Sequence, residues 1–483
     1  MTESRLRIQA LDAVPHRPRT VNDTTRKVAI PGLIALAWPI FIEQALHILT
    51  GVVDTFMVSH VSDDAVAALG TAWQIVVLFL IVFSFFSIGA SVVITHHLGA
   101  NDREGADRIA ATAVGTNTWI GLVVSLAVWF FAEPMLRLMQ LSEPLLVHAV
   151  PFLHWMGGTL FLEAMNFALS AVLRSHGHTR EVMIVTLGQN LLNFAGNAVL
   201  LFGLFGAPKM GVLGVALSTV FSRFVACIAL WILVEHHTHL KIRISDFLTF
   251  QRERLSRILH IGLPAAGENI SWWAAFMVIT AFTARMGDTT LATQSYTMQI
   301  AMVMMLCSLS IGLATEILIG RLVGAGRFED AYAECMRSLR IGLVVTMGVA
   351  ITFAILAPYI LGLFTKDPEI IATGTMLLRL GLLLEPARAF NLIVINSLRA
   401  AGDARFPLYA GLLSQWCVMA FGGWLFGTFF GLGLVGVWCA FLIDEWLRGL
   451  AMLHRWRKRR WLKYALRMRA EATATAPTPA TAG

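Results

Sequence analysis

Residues 173–180 read LRSHGHTR, and residues 398–405 read LRAAGDAR. The two stretches lie 225 residues apart, the separation that also carries Pro39 onto Pro264. At the same offset Glu43 falls on Glu268, Gln74 on Gln299, Ile75 on Ile300 and Gly99 on Gly324. Glu104 falls on Glu329 and Asn166 on Asn391. One register held over about 140 residues marks an internal duplication, so each half is expected to build the same structure.

Composition says what that structure lives in. Of 483 residues, 57% are hydrophobic and only 14% are charged. Mean hydropathy is +0.69. A soluble chain carries about a quarter of its residues charged, whereas about 20 apolar residues suffice for a helix to cross a bilayer. Turn signals and charges cut the first half into segments near 33–60, 66–98, 108–132, 144–174, 181–204 and 211–236. The second half divides near 258–285, 291–323, 335–364, 369–399, 405–430 and 433–454. The expected fold is an all-α polytopic membrane protein with twelve transmembrane helices in two pseudo-symmetric six-helix bundles. An even number of spans per half makes the repeats parallel, an arrangement transporters use to alternate access to a site between lobes.

The expected organisation runs from a polar, disordered leader at 1–32, without the apolar core of a signal peptide, to an N-terminal lobe at 33–236. A basic connector at 237–257 and a C-terminal lobe at 258–455 follow, then a basic tail at 456–483. Alternate loops carry Arg103 and Arg108, Arg174 and Arg180, Lys241 through Arg257, Arg321 and Arg327, and Arg399 and Arg405. The positive-inside rule places these loops and both termini in the cytoplasm, with the chain multi-pass in the inner membrane. The run HRWRKRRWLK (454–463) directly follows a hydrophobic segment and reads as a membrane anchor rather than a nucleic-acid site. The final EATATAPTPATAG has nothing to pack. Five scattered cysteines read as packing residues, not a disulfide framework.

Polar residues inside apolar runs point to function. A charge at the centre of a membrane helix costs roughly 2.5–3.5 kcal/mol, so it faces protein or a water-filled cavity. Glu43, His47, Thr50 and Asp54 fall on one helical stripe, with Pro39 permitting a bend near its start. Asn190, Asn193 and Asn197 share a face of the fifth segment and call for partners. The offset carries Glu43 onto Glu268 but Asp54 onto Ile279, and Asn193 and Asn197 onto Val418 and Gly422. Glu43 therefore reads as architectural and Asp54 as working. Trp272, Trp273, Phe276 and the methionine row from Met298 offer a pliable aromatic surface for apolar cations. His236, His237 and His239 are read as solvated, with no metal site expected. No Walker-type phosphate loop is present, so ATP-driven transport has no support.

The stretches VVDTFMVSHVSDDAVAALG, LGAND with its partner VGAGR, the LRSHGHTR pair, and NLLNFAGNAVLLFG followed by GVLGVALST resemble the multidrug and toxic compound extrusion (MATE) family over about residues 33–455. The resemblance implies an antiporter, not an enzyme, that exports organic cations or other amphipathic compounds against proton or sodium entry. The family's first-helix aspartate falls on Asp54 and its bending proline on Pro39. Its fifth-helix asparagine–aspartate pair falls on Asn193 and Asn197, so the second acid is an amide here. A sixth-helix hydroxyl falls on Thr219. Sodium-coupled relatives carry a seventh-helix glutamate where this chain has Trp272, with Glu268 a turn earlier. Their tenth-helix aspartate falls near Ala389, with Glu385 a turn before.

Together these imply cation coupling at Asp54, Asn193, Asn197 and Thr219, and a substrate cavity including Glu43, His47, Asn190, Glu268, Trp272 and Met298. Protons are the expected coupling ion, with sodium the alternative, and no cofactor is expected. Expected partners are small-molecule substrates and membrane lipid; nucleic acid is not, and the chain is read as a monomer. The competing reading is a flippase for lipid-linked saccharides of related two-lobed build. That reading would call for an arginine-lined cavity and often two further helices, neither of which is visible in the sequence.

Overall fold

In the computed structural model of the protein, residues 32–474 are described apart from residue 61 and residues 239–250. All of the expected leader but its last residue, most of the expected connector and the last nine residues lie outside them. Among the described residues every regular element is helical. The N-terminal lobe holds α1 (Leu33–Ser59), α2 (Asp63–Gly99), α3 (Arg103–Leu138), α4 (Glu143–Gly158), α5 (Leu160–His176), α6 (Thr179–Phe202) and α7 (Val212–Thr238). The C-terminal lobe holds α8 (Arg252–Arg285), α9 (Asp288–Gly324), α10 (Phe328–Phe364) and α11 (Pro368–Ala400). It closes with α12 (Arg405–Phe429) and α13 (Gly433–Arg457), and α14 (Leu462–Ala474) follows.

The span expected as one helix at 144–174 is two, α4 and α5, bent by 42° at Thr159. Its twin α11 runs unbroken. With α4 and α5 counted as one broken span, each lobe has six. Nine of the helices, or ten with that pair, are long and apolar enough to cross a membrane by composition alone. The others, α8 and α13, carry charges that the fold turns inward, including Glu268, Asp444 and Arg448. Pro39 sits buried inside α1, which continues through it. Two stretches of α12, Gln415–Ala420 and Leu425–Phe429, are wound as wide π-turns, a local device that re-aims side chains.

The repeated octets explain the fold's most regular feature. Each ends a helix with a glycine in the left-handed region, Gly177 at φ 92° and Gly402 at φ 84°. At both sites the glycine N–H donates to the arginine carbonyl three residues back, and the next N–H to the leucine carbonyl, all at 2.9 Å. This is a glycine C-cap that a side chain bearing a Cβ adopts only with strain. The same turns receive bonds from the opposite lobe. His96 Nε2 on α2 lies 2.6 Å from the Ala400 carbonyl, and the Arg321 guanidinium on α9 donates to the Ser175 carbonyl at 2.7 Å. The offset relates His96 to Arg321 and Ser175 to Ala400, so the two contacts are reciprocal.

Close helix packing seals the same end. A methyl group on Gly99 would collide with the Arg321 carbonyl, and one on Gly324 with the His96 carbonyl. Both lobes therefore meet through backbone at the basic end of the bundle, where the short arginine-flanked turns lie. Residues 462–474, within the segment read as a tail, form α14 and pack across the ends of α2 and α9 with Ala465, Met468 and Ala472 buried. Arg455, in the run read as a membrane anchor, is 2.5 Å from Asp403, and Arg459 pairs with Glu329. These two basic residues are thus bound to protein carboxylates, which hold guanidinium groups by paired charged hydrogen bonds.

Gly324→Val tests this seal. The added side chain falls on the His96 carbonyl and is expected to part α2 from α9. In a cysteine-free background, a cysteine placed at buried Ser175 should become several-fold more reactive to maleimide while gel filtration still shows folded protein; unchanged labelling would refute the seal.

Candidate functional site

Asp54 lies in the last third of α1, facing α6. Asn197 Nδ2 donates to Asp54 Oδ1 at 2.6 Å and lies 3.3 Å from Asn193 Oδ1. Asn193 Nδ2 in turn donates to Thr219 Oγ1 on α7 at 2.9 Å. The i, i+4 spacing of the two asparagines places both amides on the α1–α7 side of α6, where Asn193 and Asn197 are buried. One turn below, Thr50 donates to Asn190 Oδ1 at 2.7 Å while Asn190 Nδ2 donates to the Leu46 carbonyl at 2.9 Å. The Asn197 Oδ1 acceptor is buried without a partner. One carboxylate, two amides and a hydroxyl thus form a single hydrogen-bonded chain, whose carboxylate can take up a proton or a cation.

Asp54 also opens onto a cavity of about 680 Å³ between the lobes, lined by residues from both. Glu43, His47, Asn190, Asn193, Thr219, Glu268, Trp272 and Met298 all line it, and Asn197 stands behind Asp54. Trp272 stacks on Phe276 at 5.4 Å with the rings 3° from parallel and meets Trp273 edge-on at 5.3 Å. Met298, Met302 and Met305 add a flexible apolar flank from α9.

The glutamates are bound to arginines. Arg174, from the first repeated octet, is 2.6 Å from Glu43. Arg399, from the second, pairs with Glu268. Each pair spans 131 residues of sequence, so the duplication reproduces the ion pair between the first helix of each lobe and the helix ending in its octet. Around Glu268 the C-terminal lobe adds Arg448, which lies 2.7 Å from Asp444 and 3.0 Å from Glu445. Asn391 donates to Glu445 at 2.8 Å and Ser414 to Asp444 at 2.6 Å.

One expectation is overturned here. Arg174, Arg223, Arg388, Arg399 and Arg448 line the cavity, although no arginine lining was expected. Arg174 and Arg399 had been assigned to loops; the helices extend past them, and their side chains reach back into the cavity to a glutamate. Arg223 pairs with Glu163 at 3.0 Å and Arg388 with Glu385 at 2.6 Å, so all five are in ion pairs. Two lining carboxylates, Asp54 and Glu316, have no ion pair among the described residues. Glu316 is buried on α9 and had not been identified from the sequence. Its signal was present: a lone acid in the apolar run of the eighth span, at a position where the first lobe has Ser91.

The profile of the MatE family matches residues 39–199 and 264–425. The two matches begin on Pro39 and Pro264, the pair that sets the repeat. An uncharacterized transporter of Bacillus subtilis, YisQ, is 42% identical over 431 residues, covering 89% of this chain and 95% of the relative. A probable multidrug resistance protein NorM of Pseudomonas putida is 27% identical over 418 residues, covering 84% and 90%. A crystal structure of MATE in the bent conformation superposes with a TM-score of 0.81 at 20% identity, covering 92% of this chain and 96% of the other.

The ion-pair geometry makes a measurable claim. Arg174→Ala leaves Glu43 buried without its cation, which costs about 3–5 kcal/mol. The double substitution Glu43→Gln with Arg174→Gln removes both charges and should restore most of that loss in thermal or denaturant unfolding of the purified protein. Simple addition of the two single losses would show that the pair is not coupled.

Proposed function

The chain belongs to the MatE family of efflux transporters, and from that premise we propose a secondary active antiporter that exports organic cations or amphipathic drugs in exchange for protons by alternating access. The observation that carries this reading is Asp54: a cavity-facing carboxylate without an ion pair among the described residues, held by Asn197 and backed by Asn193 and Thr219. A charged carboxylate within a membrane protein is expensive to maintain, and either a proton or a cationic ligand discharges it. The two therefore compete, and competition at one group couples an inward proton step to outward cargo release without ATP.

The sealed basic end supports an arrangement in which cargo leaves by the opposite face. The arginine-flanked turns support a cytoplasmic basic end, an inner-membrane location and cytoplasmic termini. Alternation would break the reciprocal His96–Ala400 and Arg321–Ser175 contacts and open the cavity to the cytoplasm. Trp272, Trp273 and the methionines suit flat or flexible apolar cations. The arginine lining is the feature an anionic lipid-linked saccharide would need, but each arginine is engaged by a carboxylate, which favours cationic cargo. Protons are preferred over sodium because Asn197 supplies an amide where a second acid would bind sodium more strongly. A monomer without a cofactor suffices for this cycle.

The decisive measurement is ethidium exchange in sodium-free proteoliposomes under an imposed pH gradient. Native protein should drive exchange, and Asp54→Asn should lower the rate by about tenfold or more, equivalent to ~1.4 kcal/mol. Asn197→Ala should weaken it less. Full exchange by the Asp54 variant would remove the coupling role, and a requirement for sodium at constant pH would reassign the ion.

A further inference from the structure

We propose that His178, Glu181 and His237 form a binding site for a divalent transition-metal ion of the zinc type, at the basic end of the N-terminal lobe and apart from the cavity. The Gly177 turn delivers His178 immediately before α6, Glu181 stands in the first turn of α6, and His237 stands in the last turn of α7. Glu181 Oε1 serves both imidazoles, 3.3 Å from His178 Nδ1 and 4.0 Å from His237 Nε2. The two rings face each other with centroids 4.2 Å apart and 31° from parallel. One ligand atom from each residue lies within 4.8 Å of the other two.

These dimensions suit a metal. Tetrahedral zinc with bonds near 2.0–2.1 Å separates its ligand atoms by about 3.3 Å, so the His178–Glu181 distance already fits and His237, 4.0 Å from Glu181, has to swing closer to both partners. Two imidazoles and one carboxylate are a borderline-soft donor set that favours zinc, nickel or cobalt over magnesium and calcium. The fourth position is left for water. All three side chains are half-buried, so an ion has access while the ligands stay positioned. His237, expected to be solvated, would act as a ligand in this site; His239 lies outside the described residues.

The duplication supplies an independent argument. The offset carries His178 onto Asp403 and Glu181 onto Phe406. At that junction of the second lobe, between the octet's turn and the last turns of α13, Arg455 pairs with Asp403 at 2.5 Å and lies 4.2 Å over the Phe406 ring. The second lobe therefore carries its own cation at this junction, in Arg455. At the offset position of Arg455 the first lobe has Leu230, and its junction presents two imidazoles and a carboxylate instead, to which a bound metal ion would bring positive charge. The bridge would fasten α6, which bears Asn193 and Asn197, to the helix leading toward the second lobe.

The test uses full-length protein carrying a histidine-free tag, stripped with chelator and titrated with zinc chloride by calorimetry. One saturable zinc per chain is expected, with a rise in melting temperature, and no response to magnesium. His178→Ala with His237→Ala should weaken zinc binding by about tenfold or more and abolish the temperature rise, while melting like the native protein without zinc. His236→Ala, whose ring lies 5.0 Å from His237, should keep native affinity. Unchanged binding in the double variant, loss on replacing His236 alone, or no saturable binding by native protein would overturn the site.

Discussion

The buried glutamate–arginine pair is the contact on which the rest of the structure depends. Neither charge is tolerable alone in a membrane interior, because breaking such a pair leaves an uncompensated ion in low dielectric. Glu43 therefore holds Arg174, and Arg174 holds the end of α5 in the turn at Gly177. The carbonyl of the next residue, Ser175, is the one that Arg321 of the other lobe grips. The chain of contacts runs from the first helix of a lobe, through its ion pair, into the interface between lobes. Glu268, Arg399 and Ala400 repeat it in the second half. A first helix that moves must carry its arginine with it, and so must disturb the turn on which the opposite lobe rests.

Against that duplicated frame, the differences between halves carry specificity. Ile279, standing where the first lobe has Asp54, is fully buried and packs with Met419, Ala420 and Val437. The second lobe instead concentrates charge deeper, around Arg448, with Asp444 occupying the position of Thr219. An acid fixed by an arginine and a serine is a structural ion. An acid held by one amide and facing a cavity is, on the proposed reading, the one that exchanges its counter-charge. The same fold would then supply a fixed lobe and a responsive one.

Much of this was legible in the sequence because helices convert spacing into faces. The stripe from Glu43 to Asp54, the asparagine row and the 225-residue offset needed only the period of a helix and a comparison of the chain with itself. Interactions between residues distant in sequence were harder to read. Arg174 and Arg399 looked like loop charges that set topology, and nothing local tells an arginine at a helix end whether to reach outward or back. The metal-binding trio was half visible: His237 stood out, while its partners His178 and Glu181 sit at the opposite end of the preceding helix in the chain and come beside it only through the packing of α6 on α7. The break at Thr159 directly follows the Gly157–Gly158 pair, a local signal for a bend, whereas the twin α11, with Pro386 inside it, stays whole.

The arginines also sharpen what the cavity can hold. Five guanidinium groups on a lining would ordinarily repel an organic cation. Here each is engaged by at least one carboxylate, and oppositely charged neighbours a few ångströms apart present a field that falls off much faster than that of a lone charge. What remains at a distance are the lining carboxylates without an ion pair among the described residues, Asp54 from the first lobe and Glu316 from the second. They sit on α1 and α9, helices that pack against each other across the interface. A cationic ligand between the lobes would be drawn to both, so discharging one alters the attraction felt at the other. On the proposed reading, selection for cations would arise from which acids the frame leaves outside ion pairs, not from the number of acids it contains.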